Sequence, residues 1–557
     1  MNPEQDDGNV EYKLKLLDLS KNRIERLTSQ MRYRCNEGGS ECIYNLGVED
    51  DGTMTGLTEA EYNTTIKCIE SAAEMNSYKI YNLSKTLVSN KDNKDNKDNK
   101  DEVRAVYELL IREHNEDNYI DIKVAITGSV DCGKSTLLSV LTHGKADNGR
   151  GSARCAVFNY PHEVETGRTS SIGHQILGYN NEGLVMNYLP DRNRVLTWPE
   201  IVKKSSKIVT FFDLAGHEKY LKTTIFGLSS SKPDLCLIMI AANRGILKMT
   251  KEHIFLCKTL NIPFVIVVTK IDLVTGENTK ILDETIDSII SLMKKPGIRR
   301  IPIKIKSQGD IIRSAINIQS ETIVPIFLVS NTTLEGINNL HYFLNLVPKK
   351  INQEIKDHEV ECHLDHSWNV PGVGTVIGGH LISGKISIGD KLWFGPNDNK
   401  YIQIIVRSIH CKKVPVQSVS NSCYICLAVR GVNNKENINK ENINKGNVLL
   451  NNKNQQILCN TIKASVEVLR SHSTTIKVGY QPILHCQNVR TTVLIKEITN
   501  KISPRNSNKE DDQILRTGDM ADLLLEICFS KQFIKSGSHI LLCEGQTKVI
   551  GIVKHAF

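Results

Sequence analysis

The run Gly128-Ser129-Val130-Asp131-Cys132-Gly133-Lys134-Ser135-Thr136 follows a strand-like stretch ending at Thr127 and precedes a helical run, Leu137 to Leu141. Glycines in such a loop let the backbone curl until successive N–H groups and the helix N-terminus face one point, which is the chemistry of phosphate binding. In that arrangement Lys134 would reach the β- and γ-phosphates of a nucleotide, and the Ser135 hydroxyl would coordinate Mg²⁺. A purely structural turn would not need all of these elements together.

Three further segments extend the phosphate site to a GTPase. Asp213-Leu-Ala-Gly216 follows the strand signal Ile208 to Phe212, so Asp213 can reach the Mg²⁺ shell and the Gly216 N–H can sense a γ-phosphate. Alone, this motif is weak. Thr269-Lys270-Ile-Asp272 ends the run Phe264 to Val268, where Asp272 can accept from guanine N1–H and the exocyclic amine, which adenine does not offer. Lys270 would pack along the base. Ser330-Asn331-Thr332, after Ile326 to Val329, is placed to offer guanine O6 a backbone N–H. All four segments occur in the order and strand-end context that a doubly wound nucleotide sheet requires.

These motifs need elements to position them. From Asp121 onward, apolar strand signals at Val124–Ile126, Ile208–Phe212, Leu235–Ile240, Phe264–Val268 and Ile326–Val329 alternate with helical stretches, the pattern of a parallel sheet covered on both faces. After about Lys350 the texture changes to short strands with frequent Gly, which reads as barrels. The fold class expected is a multidomain chain: an α/β P-loop GTPase domain followed by two β-barrels, with a small N-terminal α/β extension. The expected boundaries are 1–118 for the extension, 119–350 for the GTPase domain, 351–455 for the second domain and 456–557 for the third. Within the extension, Tyr12 to Met31 has helix-like apolar spacing, Glu41 to Val48 reads as a strand, and Thr58 caps a helix over Glu59 to Met75. Strands are expected near Lys79–Leu83 and Val103–Ile111. Repeats of Lys-Asp-Asn from Asn90 to Asp101 and of Lys-Glu-Asn-Ile-Asn from Asn433 to Lys445 offer little apolar surface and read as solvated linkers.

Composition bounds the class. The 557 residues exceed one ordinary core and are 40% hydrophobic and 24% charged, which suits a globular chain. A formal charge of +8 permits a polyanionic partner without demanding one. Fifteen scattered cysteines and a start without signal-peptide character read as reduced thiols in an intracellular, cytoplasmic protein; no apolar run is long enough to span a membrane. The lone pair Cys423 and Cys426 reads as part of a buried strand. Cys362, His363, Asp365 and His366 imitate a metal site, but strand alternation accounts for them better. Arg407, His410, Lys412 and Lys413 form a basic cluster, open to either a solvated face or RNA contact.

Asp131 inside the phosphate loop, His217 after Asp213-Leu-Ala-Gly216, and Gly167-Arg-Thr169 resemble translational GTPases of the elongation factor Tu type. The resemblance reaches the barrels through Val370 to Val376, Gly384 to Asp390, Arg516 to Asp519 and Glu544 to Gly551. Glu25 to Met31, Tyr44 to Asp50, Glu165 to Ser171, Thr269 to Asp272 and Ser330 to Thr332 are similar to the GTP-binding protein 1 and 2 family. The resemblance implies Mg²⁺-dependent GTP hydrolysis, GTP-dependent binding of aminoacyl-tRNA and ribosome, and a link to ribosome rescue or mRNA turnover. It implies that His217 positions the attacking water and that Thr169 binds Mg²⁺ and γ-phosphate when its loop is ordered.

Two departures stand out. Thr269 replaces an asparagine that in many relatives ties this strand end to the phosphate loop, so that contact is either weakened or remade by the hydroxyl. Arg168 stands where elongation factor Tu has an apolar residue, and is either an arginine supplied in cis or a basic residue meeting RNA. A GTPase adaptor in mRNA decay, acting with RNA-decay machinery, and a regulatory GTPase subunit of a metabolic complex remain as alternatives; the N-terminal match opposes the latter. A selenocysteine-specific factor is disfavoured because the chain stops at Phe557 without an appended RNA-reading domain. A monomer without membrane attachment is expected.

Overall fold

Runs such as Phe264–Thr269 bury every residue, so they must lie inside a sheet that is covered on both faces. The computed structural model describes residues 3–5, 8–88, 103–113, 119–158, 160–189, 194–274, 279–295, 297–350, 359–420, 423–431, 446–468, 475–503, 513–544 and 546–557. Both Asn-Lys-rich repeats lie outside them.

The N-terminal layer is a sheet of β1 (Val10–Lys13), β2 (Glu41–Leu46), β3 (Tyr78–Val88) and β4 (Arg104–Glu113) in the order β1, β2, β4, β3. Helices α1 (Lys21–Glu37) and α2 (Glu59–Met75) pack on it through Leu27, Met31, Ile69 and Ala72. Thr58 caps α2 reciprocally with Glu61, as its sequence predicts. The helix expected over Tyr12 to Met31 is corrected. Val10–Lys13 pairs in parallel with Ile43–Leu46, and the helix begins only after Ser20, whose N–H is taken by Asp18 at 2.8 Å. Leucines at 16, 17 and 19 mimic helical spacing, but Glu11 is buried against Arg34 at 2.6 Å, an ion pair that holds its segment as a strand.

The central sheet contains β5 (Ile120–Gly128), β6 (Gly173–Tyr179), β7 (Lys207–Asp213), β8 (Leu235–Ala241), β9 (Phe264–Thr269), β10 (Ile301–Lys304) and β11 (Ile323–Leu328). Its order is β10, β11, β9, β8, β5, β7, β6, parallel except for β6. Along β5, Val124 and Ile126 face one core layer and Ala125 faces the other. The carboxyl ends of β5, β7 and β9, with the chain just after β11, thus meet along one edge.

Two closed barrels follow. The first joins Lys391–Asn397, Val448–Leu450, Glu361–Val370, Gly374–Ser383, Tyr424–Gly431 and Lys400–Cys411 into a ring. The second joins Thr461–Val468, Met520–Ile527, Val489–Ile502, Ile483–Cys486, His539–Glu544 and Gln546–Ala556. His363 does not build a metal site. It bonds Asn488 of the second barrel at 3.0 Å and Glu361 at 2.6 Å. His366 is exposed and stacks on Trp368, while Asp365 faces His380 at 3.3 Å. Cys423 is buried and Cys426 half-buried at the strand Tyr424–Gly431. Among the described residues, no helix is long and apolar enough to cross a membrane.

The basic cluster is also corrected. Lys412 is buried and pairs with Asp121 of β5, beside Tyr119, so it joins the first barrel to the central sheet and cannot contact RNA. Lys413 lies over Trp198 at 4.6 Å, while Arg407 and His410 stay exposed.

The N-terminal layer is joined to the central sheet by Glu41, 1% exposed, whose carboxylate takes Arg112 at 2.9 Å and Lys207 at 2.8 Å. Arg112 and Lys207 also donate to the carbonyls of Asn345 and Val347. Burial holds the Lys207 ammonium down at about 8 despite Glu41 beside it. Replacing Glu41 with Gln leaves two buried cations without a counter-charge, so we expect a loss of about 3 to 5 kcal/mol in the first urea unfolding transition. An unchanged midpoint would show that this junction does not hold the layer.

Candidate functional site

The phosphate loop leaves β5 at Gly128 and enters helix α3 (Lys134–His143) through Gly133, whose φ of +85° few other residues adopt. Ser129, Lys134, Ser135 and Thr136 are buried. Lys134 folds back over the loop, its Nζ donating to the carbonyls of Ser129 at 2.9 Å and Gly128 at 3.2 Å. Gly216 presses against the same point: a Cβ there would stand 2.3 Å from Lys134 Nζ. Val130, Asp131, Gly133, Thr136, Thr169 and His217 line a cleft of about 50 Å³ beside them. Cys132 is buried beneath the loop.

Ser135, Thr169 and Asp213, the expected Mg²⁺ ligands, converge. Ser135 Oγ donates to Asp213 Oδ2 at 2.6 Å and lies 2.9 Å from Thr169 Oγ1, which is 3.4 Å from the same carboxylate oxygen. Asp213 is 3% exposed, and its Oδ1 has no hydrogen-bond partner among the described residues. Burial raises its pKa, against the opposing pull of Ser135, Lys134 and Thr169. A hard oxygen set with one orphaned carboxylate oxygen fits Mg²⁺.

Thr169 is held there by a residue the motifs missed. Glu163, in the short helix α4 (Pro161–Thr166), accepts from the N–H and hydroxyl groups of both Ser170 and Ser171 at 2.7 to 3.1 Å. Burial works to raise its pKa, but these donors outweigh it and hold the carboxyl below its usual range. Nothing in the sequence marks Glu163, because its partners lie beyond the helix turn.

His217 lines the cleft, half-buried, with Nδ1 accepting from the Lys219 N–H at 3.0 Å, which leaves Nε2–H to donate. Arg168 stands exposed at the rim.

On the base side, Lys270 adopts φ +61° and Asp272 follows it in a 3-10 turn. Ser330 Oγ donates to Asp272 Oδ1 at 2.6 Å and lies 2.9 Å from Thr332 Oγ1, bringing together the two segments expected to read guanine. Asn331 is buried beside the phosphate loop, and its carbonyl accepts the Asp147 N–H at 2.9 Å. The sequence reading also missed Asp147, although its Asp-Asn-Gly-Arg-Gly context is a turn signal.

The departure at Thr269 is resolved. Its hydroxyl donates to the Cys132 carbonyl at 2.8 Å, remaking the tie between β9 and the phosphate loop. Thr269→Val removes that donor while keeping shape, so nucleotide affinity and thermal stability should fall by about 1 to 3 kcal/mol, with Thr269→Ser close to wild type. Equal affinity for Val and Ser variants in a fluorescent-nucleotide titration would show that the bond is idle.

Residues 121–352 match the family model described as the elongation factor Tu GTP binding domain. The chain is 37% identical over 550 residues to GTP-binding protein 1 of Xenopus laevis, spanning 98% of this chain and 78% of that protein. It is also 37% identical over 558 residues to GTP-binding protein 2 of Homo sapiens, spanning 99% and 87%. The solved structure of translation elongation factor SelB from Methanococcus maripaludis with the GTP analogue GppNHp superposes with a TM-score of 0.54 at 18% identity, over 79% of this chain and 80% of that one, a likeness of fold. The chain belongs to the GTP-binding protein 1 and 2 family and is an elongation-factor-like GTPase that hydrolyses GTP to GDP and phosphate.

Proposed function

We propose that the chain is a cytoplasmic, monomeric factor that binds aminoacyl-tRNA and the ribosome in its GTP state and releases them after hydrolysis. The observation that carries this reading is the contact between the switch residues and the first barrel. Phe212 immediately precedes Asp213, and its ring centroid lies 5.0 Å from His174 and 5.8 Å from His380. Tyr424 closes the cluster at 5.2 Å from His174 and 4.9 Å from His380. His174 is the second residue of β6, just beyond Thr169, whereas His380 and Tyr424 belong to the barrel. Burial lowers the pKa of His174 to about 4, so the cluster is neutral and packs as an apolar joint at physiological pH. A change at Thr169 or Asp213 therefore works against the barrel, not against solvent.

Within this reading, the backbone N–H groups of Gly128 to Thr136 and Gly216 hold the phosphates, Asp272 and Ser330 to Thr332 select guanine, and Ser135, Thr169 and Asp213 hold Mg²⁺. A Mg²⁺ ion held by Ser135, Thr169 and Asp213 would supply positive charge to offset that of the phosphates. His217 orients a water in line with the γ-phosphorus. Loss of the γ-phosphate leaves Thr169 with fewer partners, an order-to-disorder step of the kind partners read. Trp368, 41% exposed and stacked on His366 near the aromatic joint, offers a face for an unpaired base.

The test is filter binding of aminoacyl-tRNA and deacylated tRNA to protein loaded with a non-hydrolysable GTP analogue or with GDP, at fixed salt. The expected outcome is preference for charged tRNA in the GTP state alone. Absence of tRNA binding in both states would overturn the delivery reading and favour a GTPase adaptor that contacts protein.

A further inference from the structure

The cleft contains a guanidinium that its motifs do not account for. Arg154 belongs to the 3-10 turn Ala153–Ala156 and lines the cleft with Lys134, Gly216 and His217. It is half-buried, and no carboxylate pairs with its side chain among the described residues. A cation beside Lys134 without a counter-charge is repelled by it, and an anion in the cleft would remove that cost.

Its place is fixed from both ends of the loop. Buried Asp147 gathers the N–H groups of Gly149, Gly151 and Ala153, each at 2.9 Å, and its own N–H is held by Asn331 of the guanine side. The guanidinium then lies between Gly151 and Gly167, at φ +82° and +64°. A Cβ would stand 2.9 Å from its Nε at Gly151 and 2.5 Å from its Nη2 at Gly167. Any side chain at either glycine would push the guanidinium aside. Gly167 also precedes Thr169 by two positions, so Arg154 bridges the guanine-anchored and metal-anchored halves of one loop.

The geometry points to Arg154 as an arginine supplied in cis to the terminal phosphate of GTP, a role that rests on the nucleotide assignment of this cleft. In hydrolysis, water oxygen bonds to the γ-phosphorus while the bond to the β,γ-bridging oxygen breaks. GDP leaves with that electron pair, and the water proton passes to phosphate. Arg154 donates to the oxygens on which negative charge grows. Arg168 at the rim is then dispensable for this step.

The experiment uses the full chain and follows hydrolysis of bound GTP in a single turnover, alongside equilibrium binding of GDP. Arg154→Ala should slow hydrolysis about 1,000-fold, with GDP affinity within about three-fold of wild type as the sign of an intact fold. Arg154→Lys should recover part of the rate, and Arg168→Ala should match wild type. Wild-type rates in Arg154→Ala, or an equal loss in Arg168→Ala, would overturn the proposal while leaving the nucleotide reading standing. A wild-type chain that binds neither GTP nor GDP would overturn both.

Discussion

A buried carboxylate that forms no ion pair among the described residues is the constraint on which the rest of the site depends. Asp213 sits at the end of a fully buried strand with one oxygen facing two hydroxyls and the other facing no donor among the described residues. Burying an uncompensated charge costs several kcal/mol, so the arrangement makes physical sense as one part of a metal–phosphate centre. Lys134 could have neutralised Asp213, yet the loop carbonyls of Gly128 and Ser129 hold it elsewhere. That division leaves the carboxylate without a lysine partner, which suits the divalent cation we propose there.

The same constraint explains why the surrounding structure is built so firmly. Glu163 holds Ser170 and Ser171, Thr269 ties β9 to the phosphate loop, and Asp147 anchors the far end of the loop to Asn331. Beyond them, the aromatic joint of Phe212, His174, His380 and Tyr424 ties the first barrel to the strand that carries Asp213. Lys412 reaches Asp121 from that barrel, Lys535 of the second barrel pairs with Glu361 of the first, and Ser229 donates to the Gln487 carbonyl. The N-terminal layer joins through Glu41 on the side of the sheet that carries β7. Each junction meets the central sheet or the barrel beside it.

Much of this was legible in the sequence because strand ends and phosphate loops are local patterns. Gly128 to Thr136, Asp213 to Gly216, Thr269 to Asp272 and Ser330 to Thr332 could be read in order, and the continuous burial of β5 matches its apolar run Val124–Ile126. Other features depend on tertiary neighbours and left no local trace. Tyr12 looked helical because leucine spacing outweighed the distant Glu11–Arg34 pair. Lys412 looked like surface charge because Asp121 is far away in sequence. Glu163 and Arg154 act through folded loops with glycines at left-handed positions, and no spacing rule announces them. We propose the domain limit near 350 on the change of texture there, and the limit near 455 on the second Asn-Lys-rich repeat alone.

The most direct test of the central claim, that Ser135, Thr169 and Asp213 form a nucleotide-dependent switch, is amide hydrogen exchange across residues 160–175. The exchange would be compared with Mg²⁺ and a non-hydrolysable GTP analogue, and with Mg²⁺ and GDP. The account predicts strong protection of residues 168–173 in the first state and its loss in the second, spreading to the barrel strand Tyr424–Gly431. Equal protection in both states would contradict it, since Thr169 would then report nothing about the γ-phosphate.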